Sequence, residues 1–392
     1  MSRVIVAGVG MVPFSSPSRS ASYDAMAGGA VRAALADAGI DLAAVQQTYA
    51  AYVYGDSTSG QRALYPVGRT GAPIVNVNNN CSSGSTALWL ARQAVASGSV
   101  DVALAFGFEQ MERGALRTRW DDRPSPFDDF LRVSDAVQGP SDAPFAPQLF
   151  GGAGAQYAQR YGTRPETWAR ITVKSRAHAA ANPYAVFRDP LTVEEVLASP
   201  RIHDPLTRLQ CCPPTCGAAA AVLVSESYAR AHGLRTDVAV AAQAMTTDTD
   251  SSFDGDLRRL VGYDMTRAAA HRVYEDSGVD PRDIAVVELH DCFTANELLS
   301  YEALDLTDEG TAEQFILDGE NTYGGRVVTN PSGGLLSKGH PLGATGLAQC
   351  AELTWQLRGD AEARQVDGAT LALQHNIGLG GAAVVTLYEK LR

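Results

Sequence analysis

The second half of this chain repeats the first, and that limits its possible folds sharply. Gly217-Ala-Ala-Ala-Ala-Val-Leu-Val-Ser-Glu226 is matched by Gly380-Gly-Ala-Ala-Val-Val-Thr-Leu-Tyr-Glu389. An opening strand over residues 3–11 is echoed by Val238 to Met245, and the strand Thr48–Tyr54 by Ile284–Leu289. A helix over Ser22–Ala38 runs into Asp37-Ala-Gly-Ile-Asp41, as a helix over Met265–Gly278 runs into Asp276-Ser-Gly-Val-Asp280. Buried apolar strands alternating with helices of 3–4 periodicity predict an α/β class. Two such units in tandem predict two similar open sheets about a pseudo-twofold axis. Loops at the C-terminal ends of the strands would then converge on one site.

One stretch stands where such loops should meet. The apolar run Ala72–Val77 passes through asparagines to Cys81, and a helical pattern follows from about Ser85 to Ala96. A thiol between a strand and a helix N-terminus faces the positive end of the macrodipole and unpaired N–H groups, which favour thiolate. A buried, inert cysteine is the competing reading.

Three second-half loops could reach it. His290-Asp-Cys292-Phe follows a predicted strand and opens a helix. The run Asn330 to Gly346 is glycine-rich and carries His340 before a proline, which restricts the histidine backbone. His375-Asn-Ile-Gly378-Leu-Gly380-Gly381 reads as a loop joining two apolar strands, with N–H groups suited to an oxyanion. Each also has a structural reading, as a helix start, an exposed loop or a hairpin turn.

Composition narrows the function. A chain of 392 residues should form two or three units. Its net charge of -12 argues against a nucleic-acid partner, which demands a basic face. Six cysteines without a secretory leader read as reduced thiols, and Cys211, Cys212 and Cys216 do not make a zinc site. No apolar run is long enough for a membrane span, so a soluble cytoplasmic protein is expected. The crowding of Asp, Pro, Arg and aromatics from Glu112 to about Arg208 marks a long insertion over the site, with short helices at Gly154–Tyr161 and Arg164–Asn182.

On these blocks, and on Tyr54-Gly-Asp-Ser-Thr, Asn76–Met111, Gln210-Cys-Cys-Pro and Asn321-Thr-Tyr-Gly-Gly, the chain resembles the thiolase superfamily over nearly its whole length. Within it the resemblance is to 3-ketoacyl-CoA thiolases of the sterol-carrier-protein X type, without their lipid-carrier domain. The resemblance implies the thiolase fold: two βαβαβαββ halves in a five-layered α-β-α-β-α sandwich with an inserted loop domain. The halves would be residues 1–111 with 209–234, and 235–392, with 112–208 as the loop domain. It also implies CoA-dependent cleavage of a 3-ketoacyl-CoA in fatty-acid, branched-chain or sterol side-chain metabolism.

Roles follow from the same resemblance. Cys81 would be the acylated nucleophile, and His340 its base and part of a first oxyanion site with His290. Cys292 would be the second acid/base, because the family's Cys-x-Gly loop here reads Gly378-Leu-Gly380. The N–H groups of Cys81 and Gly380 would form the second oxyanion site. No metal or permanent cofactor is implied; CoA enters as co-substrate, and a homodimer, possibly a tetramer, is expected. Competing readings are a retro-aldolase acting on a 3-hydroxyacyl-CoA, a decarboxylative ketosynthase-like enzyme, and a non-catalytic lipid-binding subunit.

Overall fold

The computed structural model describes residues 3–112, 120 and 122–391. The first half runs β1 (Val4–Met11), α1 (Tyr23–Ala38), β2 (Gln47–Ala51), α2 (Ser59–Leu64), β3 (Ile74–Val77), α3 (Ser83–Ala96) and β4 (Val102–Glu109). An insertion follows with α4 (Asp128–Gln138), α5 (Phe145–Tyr161), α6 (Pro165–Ala179), α7 (Val193–Ala198) and the hairpin β5 (Arg201–His203) and β6 (Leu206–Thr207). Its opening residues 113–119, and residue 121, lie outside the described residues. The chain then forms β7 (Gly217–Ser225) and α8 (Glu226–Ala231).

The second half begins with β8 (Val238–Thr246), α9 (Leu257–Leu260), α10 (Tyr263–Ser277), β9 (Val286–Glu288), α11 (Thr294–Ala303) and α12 (Ala312–Leu317). It ends with β10 (Val328–Thr329), α13 (Gly334–Ser337), α14 (Thr345–Arg358), β11 (Leu371–Gly378) and β12 (Ala382–Lys390). Both halves therefore follow the βαβαβαββ order. Strand order is β10-β9-β11-β12-β8 in one half and β1-β7-β4-β2-β3 in the other. The matched strands β7 and β12 hold equivalent places, each antiparallel to the opening strand of its own half.

The expected pair of separate sheets is in fact joined. Val4 and Ile5 pair antiparallel with Val240 and Ala239, so the ten strands form one continuous sheet. The pattern in β1 shows how it is layered. Val4, Val6 and Val9 pack with α3 and α14, whereas Ile5 and Ala7 pack with α1. A bulge between Val6 and Gly8 shifts the alternation on the way. The layers run α1, first-half sheet, α3 with α14, second-half sheet and α10, giving the five-layered sandwich. β7, covered on both faces, is buried at all nine positions, which explains its unbroken apolar sequence.

The central helices meet at backbone distance. A Cβ on Gly346 would lie 2.3 Å from the Ser85 nitrogen. Only glycine lets α14 start directly against α3, and this closeness brings the Cys81 turn and the His340 loop together. The insertion packs over α11 instead: Tyr157, Trp168 and Ile171 share an apolar core with Leu298 and Leu299. Beneath them Lys174 is buried in a bond to Glu297, and its Nζ donates to Thr329 at 2.7 Å. Among the described residues no helix is long and apolar enough to cross a membrane.

Candidate active site

Asparagine chemistry builds the turn before Cys81. Asn80 has φ +49°, a left-handed conformation that asparagine tolerates better than most residues. The Asn79 carbonyl accepts the Ser82 N–H at 3.1 Å, and the Asn80 side chain donates to the Leu379 carbonyl at 3.2 Å. The chain thus reverses sharply and leaves Cys81 two residues ahead of α3, partly accessible at the base of a pocket.

Cys292, His290 and His340 line the same pocket with Cys81, among Met111, Phe150, Phe293, Leu342 and Leu379. The sulfur of Cys81 and one ring nitrogen from each histidine lie within 4.8 Å of one another. The two imidazoles stand nearly perpendicular, 5.1 Å between centres. The residues singled out in the first-half turn and in two second-half loops are therefore gathered at one place.

Hydrogen bonds distinguish the two imidazoles. Thr345 gives its hydroxyl proton to the Pro341 carbonyl at 3.0 Å, so it accepts from Nδ1–H of His340 at 2.7 Å. Nε2 of His340 is then a bare, buried acceptor without a hydrogen-bond partner among the described residues. His290 is the reverse: the Asn376 amide donates to its Nδ1 at 2.7 Å, which leaves the proton on Nε2. Two bare nitrogens would suit a metal ion; this pair offers one base and one donor.

Burial keeps the site neutral. It holds the His340 pKa down at about 3 and that of His290 well below the usual histidine value, where His340 and His375 nearby add to the effect. Burial first and the negative charge of Glu109 second raise the Cys81 thiol to about 12, against a small opposing contribution from the Cys81 N–H. The helix-terminus argument for a thiolate is thus outweighed by desolvation. Cys292 is also held well up by burial, with Cys212, Cys81 and Asp291 adding to the shift.

Several neighbours were not legible as site residues. Glu109, fully buried at the end of β4, accepts the N–H groups of Val53, Tyr54 and Gly343 at 3.0–3.1 Å and so ties the two halves together beside the site. Cys212 lies opposite Cys292 through the bridge Cys211–Phe293, donates its N–H to the Cys292 carbonyl at 2.8 Å, and lines the pocket. The only sequence signal for it was the block Gln210-Cys-Cys-Pro.

The loop at 375–381 differs from its sequence reading. β11 continues to Gly378, paired with Ala382, so His375 and Asn376 are buried strand residues. Their polar atoms are satisfied by Thr266, His290 and Ser85, which lets them stay in a sheet. Gly380, expected at the second oxyanion site, is exposed at the turn with φ +97° and does not line the pocket. Gly378 is the glycine that packs on the Cys81 turn: a Cβ there would lie 2.1 Å from the Asn79 carbonyl oxygen. Position 378 therefore has no room for a cysteine.

The thiolase N-terminal domain family matches residues 4–227, and the thiolase C-terminal domain-like family matches residues 247–389. Sterol carrier protein 2 of Oryctolagus cuniculus is 54% identical over 392 residues, covering 99% of this chain and 72% of that protein. The benzoylsuccinyl-CoA thiolase subunit BbsB of Thauera aromatica is 36% identical over 99% of this chain and 98% of its own. Among solved structures, the Ltp2-ChsH2(DUF35) aldolase superposes with a TM-score of 0.84 at 26% identity, covering 99% of this chain and 98% of that one.

Proposed function

Because the chain belongs to the thiolase family, in its sterol-carrier-protein X branch, we propose that it cleaves a 3-ketoacyl-CoA through an acyl-enzyme on Cys81. The chain is an acyltransferase of the 3-ketoacyl-CoA thiolase kind, with CoA as its second substrate. The observation that carries the residue roles is the meeting of the Cys81 sulfur with one nitrogen each of His290 and His340 within 4.8 Å, in a pocket shared with Cys292.

Bare Nε2 of His340 takes the Cys81 proton as sulfur attacks the keto carbon. A resting thiolate–imidazolium pair is disfavoured by a thiol at about 12 and an imidazole at about 3, so proton transfer accompanies C–S bond formation. The Cys81 N–H, beside Gly378, is the donor for the tetrahedral oxyanion. Collapse breaks the C2–C3 bond, leaving acyl on Cys81 and the enolate of the shorter CoA ester. Nε2–H of His290 and the newly protonated Nε2–H of His340 hold that enolate oxygen. The Cys292 thiol, kept protonated by burial, delivers its proton to C2 and releases acetyl-CoA, or propionyl-CoA from an α-methyl substrate. The Cys292 thiolate then deprotonates incoming CoA, which attacks the acyl-enzyme. His340 returns its proton to Cys81.

Turnover of a 3-ketoacyl-CoA with free CoA, read as loss of the 3-keto absorbance, tests the activity. Cys81→Ala should give no acylated protein by mass spectrometry, and intact turnover by that variant would sink the reading. Residues 112–208 would be the loop domain shaping specificity, and the enzyme would work as a cytoplasmic homodimer or tetramer, which sedimentation can check.

The likeness to the aldolase structure favours a second reading, retro-aldol cleavage of a 3-hydroxyacyl-CoA. That reaction needs neither free CoA nor a nucleophilic thiol. Release of a carbonyl product and a shorter acyl-CoA from a 3-hydroxy substrate, with CoA omitted, would establish it.

A further inference from the structure

We propose that Asn376 is a positioning residue that fixes His290 with its proton on Nε2, facing the pocket, and that a buried relay from the second-half backbone sets its amide orientation. The inference rests on the reading of His290 as an oxyanion donor, but its geometry can be tested separately.

The relay starts at an atom that can only accept. The Gly346 carbonyl receives a hydrogen bond of 2.7 Å from the Gln374 amide, so the atom facing it must be nitrogen, Nε2. The Tyr388 hydroxyl donates to the opposite end, Oε1, at 2.5 Å. Gln374 Nε2 gives its other proton to Ser85 Oγ at 2.9 Å. The buried Ser85 hydroxyl, whose own proton also needs an acceptor, donates it to Asn376 Oδ1 at 3.0 Å. The Asn376 amide is then oriented with Nδ2 toward His290, and its N–H meets Nδ1 at 2.7 Å. Every side chain in the chain of bonds is buried, so water offers no alternative partners. The one nitrogen left to His290 for the pocket carries a proton.

The same relay links the two repeats. Ser85 belongs to α3, which follows Cys81, while Gly346 lies in α14, which follows His340. A displacement between the central helices would break the orientation at its source. Asn376 touches no reacting atom; it acts through His290.

Asn376→Asp is nearly isosteric and reverses the chemistry, because a carboxylate accepts from Nδ1–H and cannot donate to Nδ1. In the full-length enzyme labelled with 15N-histidine, two-bond 15N–1H correlation should show His290 protonated on Nε2 in the wild type and on Nδ1 in Asn376→Asp. Turnover should fall by about 100-fold in kcat, the scale of losing one oxyanion donor, with KM for CoA little changed. Ser85→Ala removes the relay at a distance from the substrate and should lower kcat by about 10-fold, with the same spectrum showing His290 shifted toward the Nδ1–H tautomer. A wild-type His290 protonated on Nδ1, or a tautomer unchanged by Asn376→Asp, overturns the proposal. A switched tautomer with unchanged kcat leaves Asn376 as the anchor and removes His290 from the oxyanion site.

Discussion

Replacing Gly378 with alanine tests whether β11 and the Cys81 turn share one rigid contact. The added methyl would sit 2.1 Å from the Asn79 carbonyl oxygen, 2.8 Å from Ser82 Oγ and 3.1 Å from the Ser82 nitrogen. Ordinary contact begins at 3.4 Å, so two of these three obstacles are backbone and the worst overlap is about 1.3 Å. No rotamer can relieve it. Residues 79–82, with Cys81 between them, must move by about 1 Å, or β11 must. Overpacking of this kind costs about 1–3 kcal/mol, and misplacing a reacting group by about 1 Å costs about 100-fold in rate. The assay is steady-state thiolysis of a 3-ketoacyl-CoA beside urea unfolding. Gly359→Ala is the control: it adds a Cβ at φ +87° with nothing within 4 Å, so it should lower stability and leave kcat alone. Gly378→Ala with wild-type kcat and wild-type urea midpoint would refute the reasoning. Gly378→Cys should fare worse still, and should not supply a second thiol.

Other perturbations follow from single contacts. Thr345→Val takes away the acceptor of His340 Nδ1–H and should lower kcat by about 10-fold or more, measured by the same assay. Glu109→Gln removes a charge that raises the Cys81 pKa, so the pH profile for iodoacetamide modification of Cys81 should move to lower pH. Lys174→Met strands the fully buried Glu297 and should cost about 3–5 kcal/mol in urea unfolding. His178, buried between the Asn330 carbonyl and Thr322, has its pKa lowered by desolvation first and by Lys174 second, from 6.5 to about 4. Its contribution is present above pH 6.5 and lost as pH falls toward 4, where the unfolded chain binds the proton first. About 3 kcal/mol of stability should go over that window, and His178→Gln should flatten the slope.

The repeat made most of the architecture legible, because buried strands and Ala-rich helices carry their periodicity in residue type alone. The seam at Val4 and Ile5 carried no such signal: an edge pairing depends on backbone atoms that every residue has. Cys81, Cys292, His290 and His340 were visible as reactive residue types at strand ends. Asn376 and Gln374 were not, since polar side chains in a strand read as a loop until their buried partners are known. Only the close approach of Gly378 to Asn79 shows which glycine has no space for a side chain. Glu109 escaped notice because its acceptors' partners, Val53, Tyr54 and Gly343, are far from it in sequence.

The place of β1 has a consequence for how the chain reaches this structure. β1 pairs with Ala219–Ser225 on one side and with Ala239 and Val240 on the other. At about 5–20 residues per second, roughly 10–45 s pass before its first partner strand exists. Through that interval the six apolar side chains of β1, all buried in the finished fold, must be sheltered by α1 or by a chaperone. The two halves are alike in sequence but not in timing. The opening strand of the first waits for the whole insertion to be made, while β8 can close against β12 only when the last strand arrives. Folding is therefore committed late, by long-range pairings that are slow to find.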